Sequence, residues 1–309
     1  METTPTPGGA GGFAGIFPYL VSPVDGAGRV EEAALRRLIG HLLDAGVHGV
    51  SPLGSTGEVM YLTPSEREAI VKITLDEVAG RVPVVPGVAA FASRDAARQT
   101  EEMTTWGADG IVAIQQVYGA ASTPVVVDYF SAIAGATNLP VVLYTNPRLG
   151  ADIPLDALEQ LVDHDNIQYM KDASGVTGKL LAIQSRLGDR IRFFAASAHI
   201  PTAVFDLGGV GWMAGPACVA PAASVALWEA HLARDWGARE RLQRALWPLN
   251  DLFTRHALAR LVKLALDEAG FPVGAPIPPQ APVSDEVRPL LRDVLARIAD
   301  AIVEVTETG

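Results

Sequence analysis

Short apolar segments alternate with longer segments of helical periodicity over most of this chain. The apolar segments are continuous and rich in β-branched residues, as expected for parallel strands that are buried on both faces. The eight predicted strands cover residues 15–21, 46–53, 83–89, 110–115, 140–145, 167–172, 191–196 and 210–214. Their starts lie roughly 20 to 37 residues apart, which is the size of one strand-and-helix unit. Eight such units predict an α/β fold of the (β/α)8-barrel (TIM-barrel) class.

Helix-start signals between the strands favour the same fold. Thr63 is followed by Pro64 and then by Glu66, which predicts an N-cap threonine, a proline in the first turn and an early acid. The alternative fold is an open, doubly wound sheet. Such a sheet usually carries a glycine-rich phosphate loop after its first strand, and residues 20–28 do not supply one.

The strand pattern stops at about residue 222. Beyond it, residues 224–236, 238–256, 257–269 and 284–305 have helical periodicity, with a proline-rich connector at 271–282. We therefore predict a barrel at 13–222 and a C-terminal helical region at 223–309 that packs on it. Residues 1–12 are rich in Thr, Pro and Gly and lack both the basic region and the apolar core of a signal peptide, so we predict a disordered tail.

Composition and charge narrow the possible partners. The chain of 309 residues is 49% hydrophobic and has a formal net charge of −11, without a dense Lys/Arg run, which argues against nucleic-acid binding. No apolar run reaches the roughly 18 residues that a membrane span needs. The single cysteine, Cys218, excludes an intramolecular disulfide. We predict a soluble cytoplasmic protein that binds neither nucleic acid nor membrane.

Polar residues follow the second predicted strand, at the barrel end where catalytic groups are expected. The sequence there is Gly54-Ser55-Thr56-Gly57-Glu58. Two glycines around two hydroxyl residues can present backbone N–H and side-chain O–H groups to a carboxylate or phosphate. An ordinary turn is the structural alternative for this segment taken alone.

Tyr144 and Lys171 lie near the carboxyl ends of the fifth and sixth predicted strands. A tyrosine at a strand end can relay a proton, although many such tyrosines only pack in the core. A lysine that ends a buried strand is costly to desolvate, and desolvation lowers its pKa and makes its amine nucleophilic toward a carbonyl. The alternative is an ion pair with Asp172 or a loop acid. The coincidence of an anion-binding loop, a tyrosine and a lysine at neighbouring strand ends favours a Schiff-base site.

Other catalytic chemistries have less support in the sequence. The six histidines show neither His-x-His nor His-Glu-x-x-His spacing, so no metal site is predicted. A Gly-x-Ser-x-Gly nucleophile motif and a phosphate-binding P-loop are both missing.

These residues together resemble the dihydrodipicolinate synthase / N-acetylneuraminate lyase family of class I aldolases. The resemblance runs from about residue 13 to about 297 and rests on four features in order. They are the opening Tyr19-Leu20-Val21-Ser22-Pro23, the Gly54–Glu58 segment, Tyr144, and Lys171 followed by Asp-Ala-Ser-Gly. The motifs are specific for the family and much less specific for the reaction that a member performs.

The resemblance implies a mechanism and an assembly. Lys171 would form a Schiff base with pyruvate or another 2-oxo acid, and a C–C or C–O bond would then be made or broken without a metal or organic cofactor. Ser55 and Thr56, with Gly54, would bind the carboxylate, and Tyr144 would shuttle protons. Tyr118 would reach across a dimer interface into the neighbouring site, in a homotetramer built as a dimer of dimers.

Two further residues are candidates for substrate binding by the same resemblance. Met213 matches a position whose backbone carbonyl faces the lysine. Arg148 is of the type that dihydrodipicolinate synthases use for the second substrate's carboxylate, but it stands one position early. The loops at 115–118 and 196–199 also depart from the usual pattern. Neither the second partner, such as an aldehyde, nor the direction of the reaction is fixed.

Three functions therefore stay open. The first is a Schiff-base aldolase or dehydratase that acts on a 2-oxo acid outside the lysine pathway. The second is 4-hydroxy-tetrahydrodipicolinate synthase itself, which condenses pyruvate with aspartate semialdehyde. The third is a catalytically silent barrel that binds a small carboxylic acid.

Overall fold

The computed structural model describes residues 12–118, 121–146, 152–197 and 200–308. Parallel strands alternate with helices along the first two thirds of this part of the chain, as the hydrophobic pattern predicts. The strands are β1 (Gly15–Pro18), β2 (Gly87–Ala90), β3 (Ile111–Gln115), β4 (Val141–Thr145), β5 (Ile167–Asp172), β6 (Arg192–Ala195) and β7 (Gly211–Ala214). They pair in parallel in the order β1-β7-β6-β5-β4-β3-β2.

The predicted strand at 46–53 lies between β1 and β2. It forms two isolated parallel bridges, Ser51 with Tyr19 and Val50 with Val84, in place of a regular ladder. The backbone N–H of His48 also donates to the carbonyl of Ile16. Because this segment is bonded on both sides, it connects the two ends of the sheet. The barrel prediction is confirmed.

Helices cover the outside of the sheet and make up the C-terminal region. Those that accompany the strands are α1 (Glu32–Asp44), α2 (Pro64–Val78), α3 (Ser93–Trp106), α4 (Thr123–Gly135), α5 (Leu155–Leu161), α6 (Thr177–Leu187), α7 (Pro201–Asp206) and α8 (Pro216–Val219). Those that follow are α9 (Pro221–Leu232), α10 (Trp236–Arg255), α11 (Leu258–Glu268) and α12 (Val287–Thr308). Two short 3-10 helices lie at Val59–Tyr61 and Gly188–Arg190.

The start of α2 has the predicted capping geometry. The Thr63 hydroxyl accepts a hydrogen bond from the backbone N–H of Glu66, and the Glu66 carboxylate accepts one from the N–H of Thr63. Pro64 occupies the first helical position, where its missing N–H has no intrahelical partner to lose. This reciprocal pair fixes the chain direction just after the segment Gly54–Glu58.

One cluster of buried apolar side chains extends from the barrel into the C-terminal helices. It includes Trp212 of β7 and Phe17 of β1, and it continues to Leu249 of α10 and Leu291 of α12. The division at residues 222 and 223 stays a prediction, and nearly all of the predicted tail lies outside the described residues. Among the described helices, none is long and apolar enough to cross a membrane.

Candidate active site

A cavity of about 540 Å³ opens at the carboxyl ends of the strands. This volume lies within the usual range for small-molecule sites. The strands contribute Ile114, Tyr144 and Lys171 to its wall, and the segment Ser55–Tyr61 contributes a second side. The junction between α10 and α11, at residues 253–259, forms a third. The cavity therefore joins the barrel to the C-terminal helices.

Lys171 lies in β5 at the base of this cavity, with its side chain 2% exposed. Its Nζ is 3.6 Å from the centroid of the Tyr19 ring and 4.1 Å from that of the Tyr144 ring. Burial holds the pKa of the amine well below its usual value of 10.5. A larger fraction of this amine is therefore neutral near pH 7 than in an exposed lysine. The neutral amine is the form that attacks a carbonyl.

Asp172, the alternative ion-pair partner of Lys171, interacts with Lys179 and Ser174 instead. Its Oδ1 lies 3.4 Å from Nζ of Lys179, and its Oδ2 accepts a hydrogen bond of 2.6 Å from the Ser174 hydroxyl. Successive side chains of a strand point to opposite faces, which separates Asp172 from Lys171. Within the described ranges, no acidic side chain forms an ion pair with Lys171.

Tyr144 is next to Lys171 across the β4–β5 pair, where the two residues are in register. Its hydroxyl accepts a hydrogen bond of 2.9 Å from the Asn146 amide and lies 3.4 Å from the Ser55 hydroxyl. Burial raises the pKa of Tyr144, while the hydrogen bonds from Ser55 and Asn146 partly oppose that rise. The hydroxyl therefore stays protonated near neutral pH and is positioned to pass a proton toward Ser55 or a bound oxygen.

The segment Gly54–Glu58 is packed so closely that its glycines are needed. A Cβ at Gly54 would lie 2.6 Å from the Tyr19 ring, and one at Gly57 would lie 2.9 Å from the backbone oxygen of Leu20. Ser55 is on the cavity wall, whereas Thr56 is fully buried behind it. In the described part of the chain, the Thr56 hydroxyl has no hydrogen-bond partner.

Glu58 anchors this segment to the C-terminal region. Its Oε2 forms an ion pair of 2.5 Å with Nζ of Lys263 in α11, and both side chains are at most 1% exposed. Its Oε1 accepts hydrogen bonds from the backbone N–H of Ile277 and the side-chain amide of Gln280. Lys263 also donates to the backbone carbonyl of Ala275, at 2.9 Å. Burial lowers the pKa of Lys263, and Glu58 opposes that effect.

The remaining predicted site residues lie elsewhere. Tyr118 follows β3 and is fully exposed, so it takes no part in the cavity of its own chain. Met213 lies in β7, is fully buried and is outside the cavity wall. Arg148 lies outside the described residues. Gly54 is not on the cavity wall; it packs against the Tyr19 ring, where a Cβ would not fit.

The sequence prediction missed two groups at the site, one packed behind the cavity wall and one on the wall itself. One is Tyr19, whose ring contacts the Lys171 amine. The other is the polar group Thr254, Arg255 and His256, at the junction of α10 and α11. The available signal for the second was a run of three polar residues at the boundary of two predicted helices. Because this run lies between two predicted helices and not at a strand end, the barrel fold alone does not assign it to the site.

Acidic, histidine and cysteine side chains form no evident metal site in the part of the chain that the structure describes. In the described ranges, no three or more of these side chains come close enough together to hold an ion.

The chain is similar over nearly its whole length to known proteins. A sequence model described as the dihydrodipicolinate synthetase family matches residues 12–298. A 4-hydroxy-tetrahydrodipicolinate synthase of Methanospirillum hungatei is 31% identical over 289 residues, which cover 92% of this chain and 99% of that protein. An uncharacterized DapA-like lyase of Halobacterium salinarum is 32% identical over 299 residues, which cover 94% and 97% respectively.

A solved structure has the same fold. The 4-hydroxy-tetrahydrodipicolinate synthase of Methylacidiphilum fumariolicum superposes with a TM-score of 0.90 at 26% sequence identity. The match covers 96% of this chain and 99% of that one.

Proposed function

This chain belongs to the dihydrodipicolinate synthetase family, and from that premise we propose that it is a class I lyase whose Lys171 forms a Schiff base with pyruvate or another 2-oxo acid. The observation that carries the proposal is the environment of the Lys171 amine. It is buried at the base of a cavity, its pKa is well below the usual value, and Tyr144 lies beside it.

The chemistry follows from these groups. The neutral Nζ adds to the keto carbon, and the carbonyl oxygen takes up a proton to give a carbinolamine. Loss of water then yields the protonated imine. Loss of a proton from the neighbouring carbon gives an enamine, whose carbon attacks an aldehyde, and hydrolysis of the product imine regenerates Lys171. Tyr144, with Ser55 at 3.4 Å, supplies and removes protons during the first steps.

The other predicted roles belong to the same proposal. Ser55 and Thr56 would bind the carboxylate of the 2-oxo acid. The Thr56 hydroxyl supports this role, because it has no hydrogen-bond partner among the described residues. The covalent imine would make an organic cofactor or metal unnecessary. Tyr118, being exposed, would enter the site of a second subunit in a homotetramer. The cytoplasmic location also stays a prediction.

Borohydride trapping tests the proposal. The protein is incubated with pyruvate and other 2-oxo acids and reduced with borohydride, and the modified lysine is located by peptide mass spectrometry. We expect one adduct, on Lys171, that is lost in Lys171→Ala and kept in Lys72→Ala, an exposed control. Binding of the acid without an adduct would instead support the catalytically silent barrel, and an adduct on another lysine would overturn the assignment.

The second candidate function is 4-hydroxy-tetrahydrodipicolinate synthase activity. The name of the Methanospirillum hungatei relative favours it. A coupled assay with pyruvate and aspartate semialdehyde separates it from the general proposal. Turnover would identify the second substrate, whereas trapping of pyruvate without turnover would indicate a different aldehyde or a dehydratase reaction.

A further inference from the structure

Tyr19 lies immediately beyond β1, and its ring is fully buried against the candidate nucleophile. The Lys171 Nζ is closer to this ring, at 3.6 Å from its centroid, than to the ring of Tyr144 at 4.1 Å. The two rings are nearly perpendicular, with an interplanar angle of 88° and centroids 6.3 Å apart. The amine therefore has two aromatic side chains as its immediate neighbours.

A Schiff-base lysine has two conflicting electrostatic needs. It must be neutral to attack the keto carbon, yet the imine that follows carries a positive charge in the same buried place. A carboxylate beside the lysine would stabilise the charged imine. It would also keep the free amine protonated, because an adjacent negative charge raises the pKa of an amine. The negative face of an aromatic ring attracts a cation more weakly, and the attraction grows when the pair is desolvated.

The surrounding residues hold the Tyr19 ring in place. The backbone N–H of Tyr19 donates to the carbonyl of Ala214 in β7, and its backbone bridges to Ser51. Gly54 leaves room for the ring, since a Cβ there would lie 2.6 Å from it. Burial raises the pKa of Tyr19 well above its usual value, so the side chain stays neutral and does not become a second anion beside the lysine.

We propose that Tyr19 is a further catalytic residue, whose ring stabilises the protonated imine on Lys171 without keeping the free amine protonated. This inference rests on the proposed Schiff-base function. It gives Tyr19 and Tyr144 different tasks, because Tyr144 acts through its hydroxyl and Tyr19 through its ring.

Two substitutions at position 19 separate the ring from the hydroxyl. The equilibrium constant for imine formation with pyruvate is measured by trapping, together with the pH dependence of the trapping rate. Tyr19→Phe keeps the ring, and we expect its imine constant to stay within about twofold of the wild-type value. Tyr19→Leu removes the ring, and we expect its imine constant to be about tenfold lower than the wild-type value. Its rate profile should also move to lower pH, because the ammonium loses its aromatic neighbour.

The controls distinguish an electrostatic effect of the Tyr19 ring from a general loss of aromatic packing. Phe17→Leu removes another fully buried barrel aromatic and should leave the imine constant unchanged. If Tyr19→Leu does not fold, fluorinated phenylalanines at position 19 keep the size while weakening the ring face, and the constant should fall with each fluorine.

Each remaining outcome has a definite meaning. Failure of the wild-type protein to trap any 2-oxo acid would refute the proposed function itself. If the wild type traps pyruvate, then an unchanged imine constant and pH profile in Tyr19→Leu, or a constant unaffected by fluorination, would overturn the role of the ring. Loss in Tyr19→Phe equal to that in Tyr19→Leu would assign the effect to the hydroxyl and also overturn it.

Discussion

The buried ion pair between Glu58 and Lys263 gives the sharpest prediction for stability. Glu58→Gln leaves the Lys263 ammonium buried without its carboxylate, while the new amide oxygen can still accept from the Ile277 N–H. Lys263→Met leaves the carboxylate with Ile277 and Gln280 as donors and removes the cation. The double variant removes both charges.

The size of the effect follows from burial. With the two side chains at most 1% exposed, removing one partner should lower the free energy of unfolding by about 3–5 kcal/mol. The double variant should lose only about 1–2 kcal/mol, the cost of hydrogen bonds such as the one from Lys263 to Ala275. The charges should therefore be coupled by about 4 kcal/mol or more. Glu68 and Lys72 are exposed, and Glu68→Gln should cost no more than about 0.5 kcal/mol.

Urea unfolding at one fixed protein concentration measures these differences, because any subunit assembly makes stability depend on concentration. Tryptophan fluorescence and circular dichroism should give coincident transitions. A single variant within about 0.5 kcal/mol of the wild type would contradict a coupled buried pair, and so would two single losses that simply add in the double variant.

Three further predictions concern the lysine and its neighbours. Lys171→Met should abolish trapping and raise the free energy of unfolding by about 1–3 kcal/mol in urea titrations, since it removes a buried amine that has no hydrogen-bond partner among the described residues. This gain should shrink as pH rises from the lowered folded pKa toward 10.5, because in that window the unfolded wild-type chain binds more protons than the folded one. The trapping rate should rise with pH and level off well below 10.5, and a rate still rising at that pH would contradict the burial argument. Tyr144→Phe should slow imine formation by about 10²- to 10⁴-fold in stopped-flow trapping with little change in stability, and an unchanged rate would remove it from the proton path.

The sequence predicted the fold because buried parallel strands leave a simple pattern. Each strand is apolar on both faces, so its run of hydrophobic residues is visible without knowledge of its neighbours. The segment at 46–53 shows the limit of that signal. It has the right composition and place, yet it pairs only through isolated bridges, and local composition does not specify how regular the backbone pairing is.

Part of the candidate site was equally predictable. Ser55, Tyr144 and Lys171 each end or follow a predicted strand, and a barrel brings all such ends to one face. The Lys171–Asp172 alternative could also have been excluded from the sequence, because adjacent residues of a strand point to opposite faces. Tyr19 and the 253–259 segment could not be placed, since their contacts with the site depend on packing between distant parts of the chain.

The cavity divides its wall between two parts of the molecule, and this division bears on how substrate choice is set. The groups that would form the imine belong to the barrel strands and the Gly54–Glu58 segment, whereas Thr254, Arg255 and His256 come from the α10–α11 junction. The Glu58–Lys263 pair joins these parts, with Lys263 only four residues beyond Ala259 on the cavity wall. Substitutions at 254–256 can therefore change the space offered to a second substrate while Lys171 and its aromatic neighbours stay in place. Under the proposed mechanism, the first half-reaction and the choice of the second partner would depend on different residues, so the motifs at the strand ends predict the imine chemistry but not the aldehyde.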